Sequence, residues 1–211
     1  MDRRTIGGLA GMASPAVFTA FLAAAGAIVP GYDHVSQHVS ELARQSGPHA
    51  WVMRLGLVIV GILDLLLARG LARGAPSRPG RIGSALVAML GVATVGVGMF
   101  PLQPAGTEPT PLARAHLGVA LTAFTLDVVT PLVFAAHFRD AARSQTMRGL
   151  SLASGILGAV LLVPVLFGLF PAHKGLVQRA FLAVPFAWTG IIGAWLLVAR
   201  PEDRDAIDPR R

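Results

Sequence analysis

Cysteine is absent from the 211 residues, which excludes disulfides, a thiol nucleophile and any thiolate-held metal. Charge is scarce: Asp, Glu, Lys and Arg make up 14% of the chain, well below the usual share in a soluble domain. Familiar reaction motifs are missing too, with no Gly-x-Ser-x-Gly elbow, no His-Glu-x-x-His and no phosphate-cradling glycine loop. No polar stretch is long enough for a separate water-soluble domain. That leaves one unit over residues 1–200 and a short tail at 201–211.

What fills the chain is apolar. Hydrophobic residues make up 54% of it and mean hydropathy is +0.63. A bilayer core needs about 20 apolar residues per helix, and Ile6–Val29, Ile82–Leu102, Leu150–Phe170 and Ala180–Ala199 supply that without one charge. Val52–Leu71 and Leu117–Ala136 have the length but enclose Asp64 and Asp127. The fold class is therefore all-α, a polytopic bundle of six transmembrane helices. The first span is longer than an ordinary signal h-region and is expected to stay as a helix.

Positive charge sets the expected orientation, because Lys and Arg beside short loops are retained in the cytoplasm. The N-terminus, second loop, fourth loop and tail hold 13 of the 18, whereas Arg44, Arg54, Arg114, Lys174 and Arg179 lie at the other end. Both termini should be cytoplasmic. The same partition accounts for a pI near 11.5 without nucleic acid, since no basic run is interleaved with aromatics. The bilayer is the expected partner. Oligomeric state is not legible.

Gly98-Met99-Phe100-Pro101 and Gly168-Leu169-Phe170-Pro171 lie 70 positions apart, and each is followed by a loop and an Arg-Ala pair, Arg114-Ala115 and Arg179-Ala180. This predicts a helical hairpin repeated in one direction. Gly26 to Pro30 has the look of a degenerate third copy.

Five of the six histidines, His34, His38, His49, His116 and His173, fall on the expected outer side. In the first loop, Tyr32 to Gln45 reads as an amphipathic interfacial helix with Val35, Val39 and Leu42 inward. On such a helix His34, His38 and Glu41 would share one stripe, a spacing able to hold a divalent metal; the plainer reading is a polar face lying in the headgroup layer. No other cofactor is expected, and haem is disfavoured because no two histidines lie deep in separate spans. Ser40 before Glu41 reads as fixing local backbone rather than as a nucleophile.

Asp64 and Asp127 sit roughly 15–20 Å deep at 1.5 Å per residue. A carboxylate there costs on the order of 3 kcal/mol on insertion scales, so both should face the interior. They either share a proton as a relay or hydrogen-bond to neighbours such as Thr130, beside Pro131.

Val39-Ser40-Glu41-Leu42-Ala43, the two Gly-x-Phe-Pro ends, His116 opening the fourth span and the overall length are similar to a prokaryotic family of six-span membrane proteins catalogued as domain of unknown function 998. The resemblance covers nearly the whole chain. It implies a multi-pass bundle in the inner membrane and assigns no activity, substrate or catalytic residue. Glu41, Pro101, His116 and Pro171 match that pattern, whereas His34 and His38 do not. The leading expectation is a polar outer pocket of Glu41, Ser40, His116 and His173 binding a lipid headgroup, a cation or a small amphiphile. The rivals are an enzyme acting on a lipid-borne substrate through Glu41 or His116, and a proton-coupled transporter using Asp64 and Asp127.

Overall fold

The structure is a computed structural model that describes residues 1–44, 49–103, 106, 108, 110–139 and 144–198. The tail at 201–211 and Gln45, the expected end of the first-loop helix, lie outside the described residues. Six helices are long and apolar enough to cross a membrane. They are α1 (Arg3–Ile28), α2 (Ala50–Gly74), α3 (Arg78–Met99), α4 (Pro111–His137), α5 (Gln145–Phe167) and α6 (Lys174–Val198). No strand occurs among the described residues.

The boundaries follow from local chemistry. Asp2, Ser77 and Thr110 cap the N-termini of α1, α3 and α4, each side chain accepting from a backbone N–H three residues on. Arg54 of α2 donates to the Gly98 and Met99 carbonyls, covering the orphan acceptors where α3 ends. α5 stops at Gly168, whose φ of 59° is the left-handed conformation that favours glycine. The two Gly-x-Phe-Pro segments thus close α3 and α5 at the same end, but by different means.

Each helix packs on its chain neighbours and α1 closes against α6, so the bundle is a ring. Small residues permit the closest approaches. A Cβ on Gly61 would lie 2.5 Å from the Gly91 carbonyl oxygen, so α2 and α3 touch backbone to backbone there. Gly8 and Gly11 of α1 meet Gly193 of α6 in the same way.

α5 is the exception. Its buried residues are Ser151, Gly155 and Gly158, all in the first two-thirds of the helix; Ser151 accepts from the Trp188 indole of α6, whereas Gly155 and Gly158 lie on the face seated on α4. The next positions on that face, Leu162 and Val165, are large, and close backbone approach ends with the small residues.

Leu67, Leu71, Val87, Phe134, Phe138, Trp188, Ile192 and Leu196 fill the ring at the arginine-rich end. A second apolar cluster around Phe18, Leu42, Met53 and Leu57 ties α1 and α2 to the first loop at the opposite, histidine-rich end.

The first-loop helix is shorter than the amphipathic pattern suggests. Only Val39–Ala43 is helical, as a 3-10 helix. Upstream, the Asp33 carboxylate accepts from the Val35 and Ser36 N–H groups and the Ser36 hydroxyl, holding a turn in place of a helical one. Val39 and Leu42 are buried as expected, but Val35 is exposed.

Candidate functional site

At the histidine-rich end the first loop lies across the ring and is held by α6. Gln178 accepts from the Val39 N–H at 2.7 Å. The Arg179 guanidinium donates to the His34 and Gln37 carbonyls and to the Tyr32 hydroxyl, bracing the loop from below. Gly175 permits the fit, since a Cβ there would collide with the Gln37 and His34 carbonyl oxygens.

Glu41 is fully engaged. Its carboxylate pairs with Lys174 and Arg44, both at 2.9 Å, and accepts from the His38 N–H. Burial pushes this carboxyl up, but the Lys174 hydrogen bond, the His38 N–H and the charges of Lys174 and Arg44 outweigh it and hold it below its ordinary value of 4.5. His38 is held below its ordinary 6.5, chiefly by burial and next by the Lys174 charge. Glu41 therefore acts as an anionic clasp.

His34 packs its ring on Gly26 and against Arg179, while His38 points elsewhere, so the stripe of His34, His38 and Glu41 does not form. The missing helical turn is the reason. Among the described residues no three His, Asp or Glu side chains gather as a metal site. His173 is exposed at the start of α6.

Beneath the loop is a cavity of about 310 Å³. His38, Val39 and Ser40 form its roof, and all six helices contribute to its walls. The walls are mostly apolar, with Phe18 stacked on Phe186 at 4.2 Å between centroids. His116 lines it and donates its Nδ1–H to the Phe100 carbonyl at 2.6 Å, which makes Nε2 an acceptor in the neutral ring. Of the expected outer pocket, Ser40 and His116 thus share the cavity, while Glu41 and His173 are not among its lining residues.

The cavity floor carries both aspartates. Asp64 is 5% exposed, and its carboxyl accepts from the buried Ser14 hydroxyl at 3.2 Å. Asp127 is half-buried, and among the described residues no donor reaches its carboxyl group. Pro131 stands four residues after Asp127 and lacks the N–H that would bond the Asp127 carbonyl, so this turn of α4 has a free backbone acceptor as well. Thr130 points away and its hydroxyl is buried without a partner. Gln178, Thr94 and Thr189 add the remaining polar lining. Sequence reading passed over these three because single polar residues in apolar spans carry no pattern.

The sequence profile of the family described as "protein of unknown function (DUF998)" matches residues 12–195. The chain belongs to the DUF998 family. The match takes in every cavity-lining segment of this DUF998 protein, from Phe18 to Thr189. No curated protein and no solved structure matches the chain.

Proposed function

We propose that this DUF998 protein is a membrane-embedded binding protein for a small amphiphile with a basic, hydrogen-bond-donating end. The observation that carries this reading is the Asp127 carboxyl group, which lines a mostly apolar cavity and has no hydrogen-bond donor among the described residues. A carboxylate in that position is costly on insertion scales, about 3 kcal/mol, and a bound ammonium or amine would supply the missing partner. About 310 Å³ suits a small ligand, at the lower end of the usual range of roughly 300–1,000 Å³. On the positive-inside argument the roofed end faces outward.

The test uses purified protein in maltoside micelles with dodecylammonium, which carries N–H donors, and dodecyl sulfate as probes. Thermal stabilisation by the cation, absent with the sulfate and lost in Asp127→Asn, is the expected result. Equal stabilisation by both probes, or none by the cation, refutes the reading.

A transporter reading has one supporting observation. The cavity ends at Asp64 and Asp127, and the Phe134, Phe138 and Trp188 cluster plugs the ring beyond them. This is the arrangement of a site open toward one end only, and transport would require that plug to part.

A further inference from the structure

The cavity has a side as well as a roof. Leu117 of α4 and Leu166 of α5 both line it, and at 62% and 50% exposure they are its two exposed lining residues, the others being buried or half-buried. Exposure of that size at facing points of two neighbouring helices fits a wall that is open between them. The opening lies where the small-residue contact of α5 has run out: Gly155 and Gly158 seat α5 on Leu132 and Val128 of α4, and no residue of α5 after Gly158 is buried. Beyond the gap, Phe167 is 74% exposed and Leu169 and Phe170 are exposed as well, so the α5 side of the rim is apolar. In a bilayer such a rim is bathed by hydrocarbon.

We propose that the ligand is membrane-borne, with its polar end at Asp127 and its single hydrocarbon chain lying out through the gap between α4 and the last turns of α5. This deepens the binding function proposed above and rests on it. Hydrocarbon is the one occupant that the site implies. The α5 side of the rim is apolar, and the cavity of about 310 Å³ is at the lower end of the range for small ligands, which favours a chain that extends outside it. Chain length should therefore not limit binding, because surplus methylenes remain in lipid.

The experiment compares octyl- and hexadecylammonium binding to the protein in phosphatidylcholine nanodiscs, for the parent, a plugged variant (Leu117→Trp with Leu166→Trp) and a lipid-face control, Val160→Trp. The parent and the control should bind both probes. The plugged variant should lose at least tenfold more hexadecyl affinity than octyl affinity. A parent that binds octyl but rejects hexadecyl, or a plugged variant that binds hexadecyl as the parent does, overturns the side opening and leaves the binding reading intact. Failure of the parent to bind either probe overturns the binding reading itself. Should the plugged variant lose octyl binding through misfolding, photocrosslinking decides. Benzoylphenylalanine at Leu166 should form saturable adducts with the hexadecyl probe and at Val160 only unsaturable ones; equal behaviour at the two positions refutes the proposal.

Discussion

Replacing each intramembrane aspartate by leucine separates a carboxyl group held by the fold from one held in spite of it. The two substitutions delete the same group from similar depth, so the cost of keeping a carboxyl in the membrane largely cancels when they are compared. What does not cancel is the Ser14 hydroxyl. It is fully buried and donates to Asp64 at 3.2 Å, and Asp64→Leu strands it at about 1–3 kcal/mol. Asp127 strands no donor, and the leucine side chain extends into existing space. Asp127→Leu should therefore match or exceed the parent in stability, by at most about 3 kcal/mol, with Asp64→Leu below Asp127→Leu by about 1–3 kcal/mol. At about 2–4 °C per kcal/mol for a chain of this length, the two melting temperatures should differ by roughly 2–12 °C. Intrinsic tryptophan fluorescence in micelles reports the melt, and the same samples should show that the more stable variant no longer binds dodecylammonium. Equal melting temperatures, or a less stable Asp127→Leu, would refute the assignment of Asp127 as the unpartnered group.

Gly61→Ala should destabilise by about 1–3 kcal/mol, since its Cβ would press on the Gly91 backbone, whereas Gly118→Ala, with open space around it, should gain up to about 1 kcal/mol of helix propensity; thermal melts compare them directly. The loop clasp should loosen in acid: the Glu41 carboxyl lies below its ordinary 4.5 when folded, so its contribution is complete above about 4.5 and lost as pH falls through the folded value. Hydrogen-exchange protection at residues 39–43, taken relative to the intrinsic rate at each pH, should fall over that interval, and Glu41→Gln should lower it already at neutral pH; protection unchanged in the variant would show that Lys174 and Arg44 do not hold the loop. Reporter fusions at the second loop, fourth loop and C-terminus should read as cytoplasmic and those in the first, third and fifth loops as external, with an external C-terminus overturning the charge argument.

The six helices were legible because crossing hydrocarbon demands length and apolarity over whole segments, which a single sequence displays directly. Asp64 and Asp127 were legible for the converse reason, as exceptions that a membrane makes expensive. The first loop was misjudged in extent. Its apolar spacing fits a helix, but Asp33 offers the next residues a tighter turn, and that competition is settled by one side chain rather than by periodicity. Glu41 stands out in the sequence, yet the partners that occupy it, Lys174 and Arg44, include one from the far end of the chain. Ring closure between α1 and α6 leaves only isolated glycines as its trace. The opening beside α5 is written in the order Ser151, Gly155, Gly158, Leu162, Val165, but that order acquires meaning only once α4 is known to lie opposite.

Closure of the ring by the last helix against the first has a consequence for biogenesis. While the chain is being made, α1 to α5 enter the membrane as an open arc, and the inner faces of α2 and α4, with Asp64 and Asp127 on them, have no α6 across from them. The cavity and the brace under the first loop both depend on residues of α6, from Gly175 to Thr189. A chain that still lacks α6 therefore lacks one wall of the space around both carboxyl groups, and the cavity is complete only once the final span is in place.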